Sequence, residues 1–434
     1  MNKAKKLKTK FLGLVILSIM LVAIACRPAF LSKKSAPTES DLKITTVPSE
    51  PIPQTLFGMH LESPAEIPWP AVPFGTWRIW DSFVGGEGTF WPHLERFKGQ
   101  WNFKALDTCV ELAQKKGVEV LYVMSLTPKW AAARPGDAGA FGDGPTISEP
   151  QNIEDWRNFV RTVATRYKGK IKYYELWNEP SLKNWYSGTV DKMVDLAREA
   201  YTILKQVDPS ITVVSPSVFA DYGGVEWLDK YLEKGGGNYA DVIGAHFYIG
   251  FDATPEEESL LLIRKIQQVM AKHKLTTKPL WNTETGYGNK QSKQFYSDSD
   301  SMAFVARSYI VNWALGLKRF YWYGWDTANV VTLLMVKDDK KTLTPAAKAY
   351  EEIQKWLIGT RMESCDNSNG RWFCALTRRS GDKAWVVWNP KGELSFDVPK
   401  TWNVRQVKDL TGSQTAFPND GNLKIGRSPI LLSQ

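Results

Sequence analysis

Between about residues 55 and 360, apolar positions fall into two rhythms that take turns along the chain. Short dense apolar runs occupy residues 55–61 (TLFGMHL), 75–81 (GTWRIWD), 118–125 (VEVLYVMS), 173–177 (YYELW), 212–218, 241–249 (DVIGAHFYI), 280–286 (LWNTETG) and 319–325 (RFYWYGW). Each has the length and composition of a buried strand. Between them, apolar residues recur three or four apart. Leu106, Cys109, Val110 and Ala113 mark a helix over 102–116 that Gly117 stops, and Trp156, Phe159, Val160 and Val163 mark another over 153–167. Further helices are predicted over 190–207, from Thr254-Pro255 with Glu256, Glu257 and Glu258 in the first turn, over 302–315, and over 346–357 behind Thr344-Pro345. Strands apolar on both faces, separated by amphipathic helices, make a parallel sheet covered on its outside. Eight of them over roughly 300 residues predict an α/β chain with a (β/α)8 TIM barrel. An open doubly wound sheet is the alternative, but no glycine fingerprint follows any strand. The first crossover is irregular, because Pro64, Pro68, Pro70 and Pro73 admit no regular helix. The Gly/Pro/Ala-rich loop over 126–152 is too long for a bare connection, so it covers the site or is mobile.

After Leu357 the rhythm changes to short alternating runs parted by turn residues: TRMESC, RWFCALTR, KAWVVWNP, LSFDVP, VRQVKDL and SPILLS. These predict a small C-terminal antiparallel β-sandwich domain over 359–434 packed on a barrel over 53–358. Its expected role is to bury a barrel face rather than to bind sugar. Cys365 and Cys374 flank the turn-rich DNSNGRWF, and a hairpin there would bring them together as a disulfide. Cys109, on the apolar side of its helix, is expected as a buried free thiol.

Composition changes this picture at the N-terminus. The formal charge is +9, but Lys3, Lys5, Lys6, Lys8 and Lys10 precede the first apolar run; without these five the count is 50 basic against 46 acidic residues, or +4. That is an ordinary solvated surface, so no nucleic-acid partner is expected. The apolar run over 11–25 is short for a membrane span, and residues 1–25 are predicted as a targeting segment. Ala23-Ile24-Ala25-Cys26 resembles a bacterial lipoprotein processing box, which implies lipidation of Cys26 and an anchor in the cell or outer membrane. An uncleaved anchor or an ordinary secretory signal would equally place the folded part outside the cytoplasm. Residues 26–52, rich in Pro, Ser, Thr and Lys, are expected as a flexible linker. His60, His93, His246 and His273 show no paired spacing and there is no CxxC, so neither metal nor cofactor is expected. A GxSxG elbow and a phosphate-binding glycine loop are likewise missing. The 19 tryptophans are the unusual quantity, since flat apolar rings suit sugar faces as well as cores.

The candidate chemistry lies at strand ends. Pro180 stops the fourth strand, which places Glu179 at its C-terminal tip beside Asn178, and Glu284 ends the seventh. Splitting a glycosidic bond needs one carboxylic acid to protonate the leaving oxygen and one carboxylate across the sugar. Aromatic surroundings would raise the proton affinity of one acid while the other stays charged. Arg78, inside the second apolar run, is placed to hold the charged one, and Tyr248 to hydrogen-bond it. Each signal has a plainer reading: a strand-end Glu can cap the next helix, Arg78 can pair with Glu175 or Asp81, and His246 can be a satisfied core histidine.

WNEP with its acid after Asn, a later strand ending in TE-G, and an H-x-Y strand between them resemble glycoside hydrolase clan A, the retaining β-glycosidases on (β/α)8 barrels. WRIWD, GQWNFKALD, TPKW and YYELWNEP look most like family 39 and its family 5-like relatives. The resemblance implies Glu179 as acid/base, Glu284 as nucleophile about 5 Å away, and Asn178 on the sugar 2-hydroxyl. It further implies Arg78 and Tyr248 positioning Glu284, His246 lining the site, and an aromatic floor from Trp322 or Trp325. The expected function is hydrolysis of a β-linked poly- or oligosaccharide by a monomer at the cell surface. The alternatives are a transglycosylase remodelling the cell's own matrix and a carbohydrate-binding lipoprotein on an inactive barrel.

Overall fold

Alternation along each strand sorts the apolar runs into an inner and an outer core. The computed structural model describes residues 43–141, 144–249, 258–327, 330–368 and 370–434. In it the strands are β1 (Phe57–Met59), β2 (Thr76–Ile79), β3 (Glu119–Met124), β4 (Tyr173–Leu176), β5 in two pieces (Thr212–Val214 and Val218–Phe219), β6 (Ile243–His246), β7 (Leu280–Thr285) and β8 (Phe320–Trp322). The sheet runs from the second piece of β5 through β6, β7, β8, β1, β2, β3 and β4 to the first piece of β5. Both ends of the sheet are thus one strand, broken at Ser215-Pro216-Ser217, and the barrel is closed. Pro216 has no N–H for the ladder, and the bridge Asn178↔Ser217 carries the pairing past it.

Leu121, Tyr173, Val214, Val242, Trp281 and Tyr321 fill the barrel's interior, the layered packing that makes such a barrel a core rather than a pore. Their neighbours along the strands join the outer core with the helices α1 (Lys104–Lys116), α2 (Ile153–Arg166), α3 (Val190–Val207), α4 (Gly224–Glu233), α5 (Leu260–Lys272), α6 (Asp298–Ala314) and α7 (Pro345–Leu357). The side chains of Asn152, Thr189, Ser297 and Thr344 cap α2, α3, α6 and α7. Among the described residues no helix lies in the first crossover. The expected start at Thr254-Pro255 lies outside the described residues, as do the leader, Cys26 and most of the linker. Residues 43–52 correct the linker's extent. Ile44 and Ile52 are buried in the main core and Ile52 exchanges backbone hydrogen bonds with Gly359 and Thr360, so apolar side chains fasten this stretch to the barrel.

The described residues of the long loop after β3 are pinned by an arginine. Arg134 grips Glu149 through both terminal nitrogens (2.9 and 2.7 Å), reaches Asp137 at 2.8 Å and meets Ser187 at 2.9 Å. Phe141 then packs on Trp80, Phe90 and Trp185 beside the barrel mouth.

Beyond α7 come β9 (Arg361–Ser368), β10 (Arg371–Thr377), β11 (Lys383–Trp388), β12 (Leu394–Asp397), β13 (Gln406–Lys408), β14 (Gln414–Ala416), β15 (Asn422–Ile425) and β16 (Ile430–Ser433). Six form an antiparallel sheet in the order β9-β10-β11-β16-β13-β14, and β12 pairs with β15. Trp372, Cys374, Leu376, Val386 and Trp388 belong to the barrel's core, while Trp385, Val387 and Leu432 face the other way against Phe396 and Ile425 of the two-stranded pair. Cys365 and Cys374 stand opposite each other across β9 and β10 and are joined. Cys109 is a buried free thiol.

Candidate active site

The tip of β4 is where the chain departs most from regular backbone. Trp177 and Glu179 both take left-handed conformations, with φ of 68° and 48°, at a cost of about 1–3 kcal/mol each. Neighbouring strands impose them: Trp177 N–H donates to Met124 at 2.9 Å on one side, and Glu179 N–H donates to Ser217 at 2.9 Å on the other. Pro180 then turns the chain away. The side chain of Glu179 is thereby aimed into the mouth, 6% exposed.

Three other strand ends converge on it. Arg78, from β2, is fully buried and spends its guanidinium on three residues. Nε and Nη2 donate to the two oxygens of Glu175 (2.9 and 2.6 Å), Nη2 also to Asn178 Oδ1 (2.9 Å), and Nη1 to Glu284 Oε2 (2.7 Å). The Tyr248 hydroxyl donates to the other oxygen of Glu284 at 2.8 Å. His246 Nδ1 lies 2.8 Å from Glu179 Oε1 and 3.9 Å from Glu284 Oε1. Asn178, its carbonyl oxygen turned to Arg78, has its amide nitrogen left as a donor.

These contacts split the two carboxyls. Burial pushes Glu179 well above the usual carboxylate range, and the charge of Glu284 adds to this against the pull of Arg78. Burial also raises Glu284, but Arg78, His60 and the Tyr248 hydroxyl oppose it. Burial drives His246 well down, with Arg78 adding to it, so the imidazole is neutral beside Glu179. Both oxygens of Glu284 accept from strong donors, whereas Glu179 faces only a neutral ring. The proton therefore rests on Glu179 and the charge on Glu284. Donor atoms of Glu179, His246 and Glu284 lie within 4.8 Å of one another, a spacing that three metal ligands could also have. Arg78 and Tyr248 already occupy Glu284, and Glu179 and His246 occupy each other, so proton handling accounts for the trio without an ion.

The two tryptophans expected as a floor stand elsewhere. Trp322 and Trp325 are 0% and 2% exposed and pack in the outer core, Trp322 against Tyr287. Alternation decides this for Trp322: Tyr321 points into the barrel, so Trp322 points out, whereas Trp325 lies past the strand's end and is placed by its packing in the outer core. Tyr323 is the aromatic of β8 at the mouth; its hydroxyl donates to Asp81 at 2.7 Å and its ring meets His60 edge-on at 5.1 Å. His60, Asp81 and Tyr323 are site residues that the sequence reading did not assign. The usable signal was parity, which puts His60 at the end of the first apolar run. Burial would raise Asp81, yet His60 and Tyr323 hold it below the usual range. Glu62, one turn of loop beyond, is pushed up to about 8 by burial and by the charges of Asp81 and Asp326.

The mouth is therefore organised in halves. Strands β8, β1 and β2 bring the polar group Tyr323, His60 and Asp81. Across the ring, β5 and β6 bring Phe219, stacked on Tyr248 with centroids 5.4 Å apart. Glu179 and Glu284, from β4 and β7, stand on the boundary.

This fold recurs among solved glycosidases. A family 39 glycoside hydrolase from the gut symbiont Bacteroides cellulosilyticus shares 18% identity, covers 83% of this chain and 75% of its own, and superposes with a TM-score of 0.67. A family 39 β-xylosidase from Caulobacter crescentus shares 13%, with 90% and 98% covered and a TM-score of 0.62. The catalytic domain of family 30 xylanase C from Talaromyces cellulolyticus shares 14%, with 89% and 98% covered and a TM-score of 0.57. Residues 104–350, more than half of the sequence, match the model of the glycosyl hydrolase catalytic core, and the chain belongs to that family: it is a glycoside hydrolase.

Proposed function

We propose that the protein cleaves a β-linked poly- or oligosaccharide with retention of anomeric configuration, at the cell surface. The observation that carries this is the asymmetric carboxyl pair, with one oxygen of each within 4.8 Å of the other. Retaining enzymes hold their carboxyls roughly 5–5.5 Å apart, whereas inverting ones leave about 6.5–9.5 Å for a water. In the first step an oxygen of Glu284 bonds to the anomeric carbon as the bond to the leaving oxygen breaks, and that oxygen takes the proton of Glu179. In the second, water attacks the same carbon, Glu179 takes its proton, and the ester to Glu284 breaks. Tyr248 and Arg78 aim Glu284, Asn178 offers a donor to the sugar 2-hydroxyl, and His246 keeps Glu179 in place. Tyr323, in place of Trp322 or Trp325, supplies an aromatic surface at the mouth beside His60 and Asp81.

The relatives' names, a β-xylosidase and a xylanase among them, make β-linked xylose chains the first substrates to try, with β-linked glucose chains beside them. The anomeric NMR signals of the products are followed from the start of the reaction. The expected first product is the β-anomer; an α-anomer appearing first means inversion and removes Glu284 as nucleophile. Products longer than the starting oligosaccharide would identify sugar transfer instead of hydrolysis. Surface attachment rests on the lysine-rich leader and Cys26. Labelled palmitate should enter the wild-type chain and not Cys26→Ser, and label retained by the variant removes the anchor.

A further inference from the structure

Glu175 has no part in the reaction just described, yet its charge is fully buried and held through both oxygens. It lies on β4, one inward-facing position below the tip, and is fully buried. Both of its oxygens are bound to Arg78, in the paired geometry that fixes a guanidinium in plane and in rotation. With Nε and one edge of Nη2 committed to Glu175, only two directions remain for Arg78. The free edge of Nη2 meets Asn178 and Nη1 meets Glu284. The residue that aims Arg78 is therefore neither of the groups that face the sugar.

The same contact divides a charge. Among the described residues Arg78 is the cation that touches both Glu284 and Asn178, and two carboxylates, Glu175 and Glu284, share it. Through the reaction proposed above, Glu284 is an anion, then an ester, then an anion again. Arg78 would lose its counter-charge in the ester state if Glu284 were its sole partner. Glu175 keeps that partner present throughout. We propose that Glu175 is a positioning residue: it fixes the guanidinium edge presented to Glu284 and Asn178, and withholds part of Arg78's charge from Glu179 and Glu284.

The groups that bear on the two carboxyls come from five of the eight strand ends. They are His60 from β1, Arg78 and Asp81 from β2, Glu175 from β4, His246 and Tyr248 from β6, and Tyr323 from β8; the strands that pair with β4 beside Glu175 bring Val123 of β3 and Val214 of β5, neither of them titratable. Among them only Arg78 is a fixed cation. The charge of Glu175 is one of the causes that raise Glu179. Removing it leaves Arg78's full charge acting on both carboxyls, and both then hold their protons less tightly.

The inference rests on the roles given to Glu179 and Glu284, and its test separates the two. The pH dependence of kcat/KM is measured on wild type and Glu175→Gln, with folding checked by circular dichroism. For Glu175→Gln both limbs should lie about 1–3 pH units lower than in wild type, because a cation has lost its neutraliser. A folded variant with reduced kcat but unmoved limbs overturns the inference and leaves the carboxyl roles standing. A wild type without a two-limbed profile overturns the roles, and the inference with them. A measurement on the wild type alone serves if Glu175→Gln does not fold. The Nε–H signal of Arg78, followed by NMR as pH falls through the acid limb, should stay protected and unshifted, because Glu175 retains it while Glu284 takes its proton. An Nε–H that moves or exchanges together with Glu284 shows that Glu284 is what holds Arg78, and overturns the inference.

Discussion

Glu284→Gln should lose hydrolysis by a factor on the order of 10⁶, the scale of removing a covalent nucleophile, and Glu179→Gln by roughly 100- to 10,000-fold. The two losses differ in kind. Without Glu284 no ester forms, so every substrate fails alike. Without Glu179 only the proton is missing, so a glycoside with an acidic aryl leaving group still forms the ester and releases a burst of phenol. The alkaline limb of the pH profile should vanish with it, since in the wild type that limb is the loss of the proton that burial keeps on Glu179. The acid limb should remain, because it is the protonation of Glu284, whose affinity burial raises. Initial rates on an aryl glycoside and on an oligosaccharide, measured for both variants, check this. An equal loss on both substrates for Glu179→Gln would falsify its part as proton donor.

Arg78→Met should be the most damaging change to stability in the site. It leaves Glu175 and Glu284 buried together with no cation between them. Breaking a buried pair from one side costs about 3–5 kcal/mol, far above the 0–1 kcal/mol of the protein's exposed ion pairs. The sign with pH follows from which form the fold then prefers. Without Arg78 the folded state favours neutral carboxyls, so their proton affinity in the fold rises above the unfolded value of about 4.3. A raised group contributes fully below the unfolded value and loses its contribution as pH rises. The variant should therefore lie nearest the wild type at about pH 4 and fall away toward neutrality. Thermal midpoints of both proteins at several pH values decide it; a constant gap across pH points to lost packing instead of charge.

Much of the barrel was legible because period and punctuation agreed. The helix over Val190–Val207 has apolar residues at helical spacing, a threonine cap and a proline stop, and it forms over the expected residues. Helix α4 has the spacing, with Leu228, Tyr231 and Leu232 buried on one face, but lacks the punctuation. It begins after Gly223, whose backbone is left-handed and which has no side chain to cap with, so no start signal stood in the sequence. The linker was read from composition alone, and two isoleucines were enough to pin its last ten residues. The carboxyl pair was legible because strand ends in such a barrel share one mouth. The floor was not, because Trp322 and Trp325 drew the eye by residue type while one step of alternation turns Trp322 into the outer core and Tyr323 inward. Glu175 was weighed only as a structural partner of Arg78; its grip through both oxygens depends on rotamers that no spacing rule conveys.

The apolar face of β10 and β11, laid on the barrel, sets a limit on how this enzyme can be recombined. Helix α6 is buried from Ala303 to Ala314 on every side, and Glu352 of α7 is met by Lys408 from β13 at 2.5 Å. The boundary near residue 359 divides the chain by topology and not by energy. An accessory module that merely grips substrate can be cut off or exchanged between enzymes with its host intact. Here the cut would bare Trp372 and Trp388 on one piece and the core they cover on the other, and both pieces are expected to aggregate when expressed apart, which size-exclusion chromatography of each would check. A replacement for this domain would have to cover the same apolar face of the barrel, so recombination at residue 359 is constrained by packing rather than by chain connectivity.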